Sequence, residues 1–159
     1  RTALASAGAR LLPLDAASLS EGETAVVAGK VSDSLLLAVQ KGASLVLIDP
    51  DGENKLPFDG QLIGGMSEAA LLPGLSCGLP EGVISGSFGG LSLRAGWRGE
   101  GDCLCTGLGF DADGFHYGSV VTEFSYGSGK LILITADLRR STTEVGSALL
   151  TAAIARALA

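Results

Sequence analysis

Residues 24–49 read TAVVAGKVSDSLLLAVQKGASLVLID and decide the fold class. The apolar runs at 24–29 and 43–48 predict two strands, the second of them fully buried. Between them, Ser32 is placed to cap a helix and Gly42 to end it. The apolar residues of this helix recur at helical spacing: Leu35, Leu36 and Val39. A strand, a helix and a second apolar strand predict a β-α-β unit with parallel strands and a right-handed crossover.

Apolar runs and glycines also suggest an outline for the segments on either side of this unit. The run at 9–15 predicts a strand before it. Residues 53–100 are rich in glycine and have weaker patterns. They predict one short helix at 66–72 and strands at 82–88 and 91–97.

The last third of the chain predicts a meander followed by a helix. Residues 103–138 alternate apolar stretches with turn signals, including the glycines at 127–129, and favour antiparallel strands. Residues 131–135 form the most apolar of these strands. Ser141 and Glu144 have the spacing of a capping box and predict that a terminal helix begins at Ser141. The sequence therefore predicts one α/β domain over residues 1–159.

The composition excludes several classes of protein. The chain has 159 residues, of which 47% are hydrophobic and 18% charged, so a disordered chain is excluded and a single buried core is expected. The apolar runs are far shorter than the roughly 20 residues of a membrane helix, so we expect a soluble protein without a membrane partner. The net charge of −6, without a basic cluster, argues against nucleic acid. Because the sequence begins with Arg1 and shows no leader pattern, we expect a processed piece or one domain of a longer polypeptide, with a secreted and a cytoplasmic location both left open.

The tetrapeptide GSGK at 127–130 has the look of a phosphate-binding loop. Such a loop requires G-x-x-x-x-G-K-[ST] between a strand and a helix. Here Phe124 stands at the first glycine position, Leu131 follows the lysine, and a strand follows the loop. We therefore predict a hairpin turn and assign Lys130 no site role.

A cysteine and a histidine offer the sharpest enzymatic hypothesis. The chain has three cysteines, at positions 77, 103 and 105, and one histidine. Cys77 as nucleophile and His116 as base, oriented by Glu123 or Asp113, would suit a hydrolase or an amidotransferase. The glycines around Cys77 do not have the spacing of a nucleophile elbow, which favours a noncatalytic interpretation. His116 is better explained as a hydrogen-bonded, partly exposed strand residue at the hairpin after DADG.

Two acidic turns are candidate metal sites. The first contains Asp49, Asp51 and Glu53, and the second contains Asp111 and Asp113. Neither completes a calcium-binding loop, and turns favour aspartate in any case. We therefore predict no metal and no other cofactor.

Two further features suggest binding. Trp97, between two arginines, is a candidate platform for a sugar ring and hence for a carbohydrate-binding module, although a core tryptophan fits the same pattern. In a parallel sheet, ligands bind at the carboxyl ends of the strands. On the predicted strands, that position holds Gly29, Lys30 and Asp49.

Two segments resemble a known family. VVAGKVSDSLLLAVQKGASLVLID at 26–49 and VVTEFSYGSGKLILITADL at 120–138 resemble class I glutamine-amidotransferase-like, flavodoxin-like domains, especially those that serve as accessory modules in glycoside hydrolases of the β-galactosidase type. The resemblance implies a three-layer α/β fold with a partly parallel sheet, an antiparallel C-terminal hairpin and a C-terminal helix.

The resemblance also carries an expectation about function. Cys77 lies outside the family's nucleophile motif, and Gly118 stands where the partner of a catalytic histidine at His116 would be. It therefore implies a noncatalytic accessory domain of a larger carbohydrate-active enzyme. The expected partners are other domains of the same polypeptide or subunits of an oligomer, with carbohydrate as a further candidate.

Overall fold

The computed structural model describes residues 19–52, 54–71, 75, 82–85 and 90–159, and the strand predicted at 9–15 lies outside them. Within this part of the chain there are nine strands and two helices. The strands are β1 (Thr24–Ala28), β2 (Ser44–Ile48), β3 (Gly60–Gly64), β4 (Met66–Leu71), β5 (Gly82–Ser85), β6 (Ala95–Gly99), β7 (Asp102–Asp111), β8 (Gly114–Tyr126) and β9 (Gly129–Ile134). The helices are α1 (Asp33–Gln40) and α2 (Thr143–Leu158).

The strands form one mixed sheet in the order β1, β2, β9, β8, β7, β4, β5. The first three strands are parallel, and the others pair antiparallel. The sheet forks along β8: β7 covers one side of this strand, and β9 covers the other side from Val121 onward. On that same side, Trp97 of β6 pairs with Ser119, and β6 carries β3. The predicted α/β class is therefore confirmed, with a mixed sheet.

The two helices pack on opposite faces of the parallel strands. Leu45 and Leu47 of β2 lie in one apolar cluster with Leu35 of α1. Val46, between them in sequence, lies in a second cluster with Leu149 of α2. Successive side chains of a strand point to opposite faces, so the continuous apolar run of β2 serves both helices.

The β-α-β unit forms as the sequence predicts. The Ser32 side chain accepts a hydrogen bond from the backbone of Leu35 at the start of α1. The helix is followed by Gly42, whose φ of 112° lies in the left-handed region that favours glycine. Thr24 to Ala28 of β1 then align with Ser44 to Ile48 of β2 as a parallel pair.

The helix predicted at 66–72 is wrong, because this segment forms β4. The strand pairs with β7 on one side and β5 on the other. Its alanines and glutamate favour a helix locally, but Met66 and Ala69 are buried by the sheet, and strand pairing decides the conformation. A register shift between Met66 and Glu68 disturbs the strict alternation that would have revealed a strand.

One other prediction needs adjusted bounds, and a second is covered by the described residues only in part. The strand predicted at 91–97 begins only at Ala95, and residues 91–94 precede it without strand pairing. The strand predicted at 82–88 is β5, and residues 86–88 lie outside the described part of the chain.

The start of the terminal helix also differs from the prediction. Thr142 is the N-cap of α2, and Ser141 does not form the expected capping box. The Ser141 hydroxyl instead accepts a hydrogen bond from the backbone of Ser92 and donates one to the carbonyl of Asp137. This side chain therefore ties the loop between β9 and α2 to the segment before β6 and is not available to cap the helix.

The predicted meander is confirmed in the order β7, β8 and β9. GSGK forms the turn between β8 and β9, where Gly127 has a φ of 62° and Tyr126 pairs with Gly129. None of the helices within the described residues is long and apolar enough to cross a membrane.

Candidate functional site

The carboxyl ends of β1, β2 and β9 lie side by side. Gly29 and Lys30 follow β1 directly, and Asp49 follows β2. The Gly29 amide donates to the Ile48 carbonyl at 2.9 Å, and the Asp49 amide donates to the Ile134 carbonyl at 2.7 Å. The structure thus places all three candidate binding residues at one edge of the parallel strands.

Asp49 has an unusual backbone and charged neighbours. Its φ of 46° lies in the left-handed region, which Asp tolerates better than most residues. Its carboxylate receives Arg94 Nη1 at 3.3 Å and Arg139 Nη2 at 3.0 Å. Both arginines are largely exposed, whereas the Asp49 side chain is mostly buried. The two ion pairs hold the loops before β6 and after β9 against the end of β2.

Asp137 is the acid at this edge that sequence reasoning missed. Its side chain is only 3% exposed and lies against Arg139 Nε at 3.3 Å and Arg140 Nε at 3.6 Å. Burial raises the pKa of Asp137, but hydrogen bonds from the side chain and backbone of Arg139 outweigh it and hold the pKa below its usual value. The same hydrogen bond raises the pKa of Arg139. The only sequence signal was an acid followed closely by two arginines.

A segment of the chain itself runs along this edge. The Asp137 amide donates to the Ser92 carbonyl at 2.9 Å, and the Thr135 hydroxyl donates to the Ala95 carbonyl at 2.7 Å. Leu91 of the same segment is fully buried. We call residues 90–95 the edge segment, and it occupies the Asp137 amide and the Thr135 hydroxyl beyond the end of β9.

The loop after β1 is closed in a similar way. The Asn54 side chain accepts a hydrogen bond from the Val31 amide at 2.9 Å and donates one to the Gly29 carbonyl at 2.6 Å. Gly29 also accepts the amide of Asp51. The polar backbone groups on both sides of Lys30 therefore bond within the protein.

Of the Cys–His hypothesis, the structure tests only the placement of His116, Glu123 and Asp113, and it does not bring His116 and Glu123 together. Cys77 lies outside the described residues. The ring of His116, near the start of β8, is within 3.2 Å of the Gly64 carbonyl. Glu123 lies seven residues further along the same strand, which is about 23 Å at the usual rise per residue. Asp113 lies in the turn before β8, on the His116 side.

Glu123 has a structural role of its own. The side chain is 10% exposed in the fold, and its carboxylate receives Arg156 Nε of α2 and Lys130 Nζ, the latter at 3.7 Å. Lys130 Nζ also donates to the Arg156 carbonyl at 3.1 Å, near the C-terminal end of α2. The hydrogen bond from Arg156 Nε to the Glu123 carboxylate raises the pKa of Arg156. The three groups fasten the terminal helix to the sheet.

Trp97 belongs to the core. Its side chain is buried, its Nε1 donates to the Glu100 carbonyl at 2.8 Å, and its ring meets that of Phe124 edge-on at 5.7 Å. The sugar platform considered for Trp97 would need an exposed ring face. Trp97 therefore has the placement of a core tryptophan, which was the alternative to a sugar platform.

The exposed aromatic rings lie elsewhere, at the tip of the hairpin of β7 and β8. Phe110, Phe115 and Tyr117 are 67%, 71% and 63% exposed. Phe110 pairs with Phe115 across the strands, with ring centroids 4.9 Å apart, and Leu108 pairs with Tyr117. We call these four residues the hairpin face. The sequence signal was the aromatic alternation at positions 115 and 117, which sequence reasoning did not use.

A cavity of about 220 Å³ adjoins the hairpin face. It is lined mainly by apolar groups of β4 and β7, including Ala69, Ala70 and Leu108, and by Tyr117. Glu68 adds one carboxylate at its border.

Neither acidic turn gathers a metal site in the described part of the chain, which contains no group of three or more potential ligands. Glu53 of the first turn lies outside the described residues. Searches against family models, curated proteins and solved structures found no match to this chain.

Proposed function

We propose that this chain is a noncatalytic accessory domain that acts by packing against other domains or subunits of a larger carbohydrate-active enzyme. The observation that carries the proposal concerns the carboxyl ends of the parallel strands, where an α/β domain would bind a ligand: their polar groups are already bonded within the protein. There the edge segment bonds to the end of β9, and both acids are held by arginines.

The position of the edge segment matters because open α/β sheets bind their ligands beyond the carboxyl ends of the strands. A catalytic carboxylate at this edge would need an approach path and a proton to exchange with a substrate. Asp137 has neither, since its side chain is almost fully buried and arginines favour its ionised form. Asp49 is engaged by two guanidinium groups.

The fold assignment within the proposal is a flavodoxin-like, amidotransferase-like domain. Helices on both faces of the parallel strands and the antiparallel hairpin of β8 and β9 support it. The association with carbohydrate-active enzymes rests on the resemblance of residues 120–138 to the last hairpin of such accessory modules.

A turnover assay tests the noncatalytic part of the proposal. The chain is incubated with glutamine, p-nitrophenyl acetate and a set of p-nitrophenyl glycosides, beside its Cys77→Ala and His116→Ala variants. We expect all three proteins to match the buffer rate. Turnover by the parent chain that disappears in Cys77→Ala would overturn the proposal in favour of a Cys–His enzyme.

The accessory part is tested by the size of the natural protein. An antibody raised against this chain is used to probe an extract of the source cells. We expect a polypeptide much larger than 159 residues, containing a glycoside-hydrolase domain when sequenced by mass spectrometry. Detection of a protein of the size of this chain alone would contradict the accessory role.

A further inference from the structure

We propose that the hairpin face is a docking surface for another polypeptide whose contact surface is apolar and bordered by lysine or arginine. The inference rests on the proposed packing role and assigns that role a surface. It is argued from the exposure of the hairpin face, the adjoining cavity, the ring geometry and the charge at its border.

The exposure of this face is the first argument. Phe110, Phe115 and Tyr117 each leave more than half of their surface in contact with solvent, and they lie together on two paired strands. Contiguous apolar patches of this kind mark interaction sites, whereas single exposed apolar residues need no explanation. Aromatic residues are also enriched in the buried centres of protein interfaces.

The cavity beside the face favours a side chain as the occupant. Small-molecule pockets generally measure about 300–1,000 Å³. The cavity of about 220 Å³ between Ala70, Leu108 and Tyr117 is smaller. It suits an apolar side chain that protrudes from a partner, in the manner of interface anchors that fill desolvated pockets.

The ring geometry favours a polypeptide over a sugar. A sugar ring stacks best on a flat aromatic surface that faces solvent. The rings of Phe110 and Phe115 are inclined at 54° and packed on each other, so they do not form a flat platform. Side chains of a polypeptide adapt to such an uneven surface more readily than a rigid sugar ring does.

The charges at the border indicate a basic partner. Glu68 of β4 is exposed beside Leu108, and Asp113 is exposed in the turn at the tip. Arg98, at the other edge, donates to the Tyr117 carbonyl at 3.2 Å. The acidic side formed by Glu68 and Asp113 would be complemented by lysine or arginine of a partner. A second copy of this chain, with a net charge of −6, is a poorer match to that side.

The test begins with a phage-displayed library of random linear peptides, selected on the immobilised chain. We expect enrichment of peptides that combine an apolar anchor with lysine or arginine. A labelled peptide from the selection is then titrated by fluorescence anisotropy. Phe115→Ser should weaken its binding about tenfold or more, as expected for a central aromatic contact. Glu68→Lys should also weaken peptide binding, and this loss of affinity should be larger at low salt than at high salt.

Leu37→Ser is the matched control. Leu37 is 50% exposed on α1, away from the hairpin, so the substitution removes an exposed apolar side chain elsewhere and should leave peptide binding unchanged. Because the substituted side chains are exposed, all variants should unfold at the urea concentration of the parent chain.

Several outcomes would overturn the docking proposal. They are the absence of enriched peptides, binding that Phe115→Ser does not alter, dimerisation abolished by Phe115→Ser in sedimentation, and oligosaccharide binding that shifts the NMR signals of Tyr117. Each leaves the noncatalytic function standing, because that function is decided by the turnover assay alone.

Discussion

Asp137 keeps its charge in a nearly closed site because donors surround it. The backbone and Nε of Arg139 and the Nε of Arg140 all lie within 3.6 Å of its carboxylate. Its backbone amide also donates a hydrogen bond to the Ser92 carbonyl of the edge segment. Both arginine side chains are largely exposed and would be solvated without the carboxylate, but the Arg139 amide would lose its acceptor. The residue therefore stabilises the loop after β9.

We predict that Asp137→Asn lowers the free energy of unfolding by about 1–3 kcal/mol at neutral pH, because charged hydrogen bonds are lost. The folded-state pKa of Asp137 lies below its unfolded value of about 3.9, so its contribution is full above about pH 5 and is lost as the pH falls through the folded pKa. Urea titrations of both proteins at a series of pH values check this. A stability difference that stayed constant down to about pH 2 would be inconsistent with the assigned role.

The turn between β8 and β9 packs closely against the end of α1, and this packing requires glycine. A Cβ on Gly129 would meet the carbonyl oxygens of Val39 and Ala43, at the end of α1 and the start of β2. The hairpin therefore approaches the helix end at backbone distance. This contact accounts for the glycine at position 129.

We predict that Gly129→Ala lowers the free energy of unfolding by about 1–3 kcal/mol or more, because backbone must move to admit the methyl group. Gly64→Ala is the control, since a Cβ there has nothing within 4 Å and its φ is not in the left-handed region. Urea denaturation followed by circular dichroism measures both. Equal stability of the two variants would refute the close approach.

The elements differ in how far sequence predicts them. The β-α-β unit was predictable because α1 has a cap, a periodic face and a glycine stop in one local stretch. The strand character of β4 was not, because its pairing with β5 and β7 overrides the local preference of Glu68 and the alanines for a helix.

The candidate site was predictable only in part. Asp49 follows an apolar strand directly, so its position at the sheet edge could be inferred from the chain alone. The edge segment could not, since its contacts with Thr135 and Asp137 join residues about forty positions apart in sequence. The exposure of Phe115 depends on which face of β8 the rest of the chain leaves uncovered.

At the scale of the whole molecule, the parallel strands link the two apolar clusters. Leu35 represents the α1 side and Leu149 the α2 side, and both are buried against β2 and β9. Because these strands contribute to both clusters, loss of either side removes support from the other. The described domain should therefore unfold as one unit.

We predict that Leu35→Ala and Leu149→Ala each lower the free energy of unfolding by about 2–5 kcal/mol, through lost burial and the cavities left behind. Both should shift a single transition, detected alike by circular dichroism and by Trp97 fluorescence. Leu37→Ala, at an exposed position, should change stability by less than about 0.5 kcal/mol. Two separate transitions in either core variant would show that the clusters unfold independently.

The place of β9 in the sheet has a consequence for biosynthesis. β9 lies between β2 and β8, so it joins the parallel strands to the antiparallel ones, yet it is the last strand in the chain. On the ribosome, β1, α1 and β2 emerge first and must wait for the whole of 49–128 before their neighbour exists. Until then the inner edge of β2 is unpaired, with apolar side chains on both faces. The nascent chain is thus exposed to aggregation while residues 49–128 are synthesised, and chaperones that bind apolar strands would protect it during this interval.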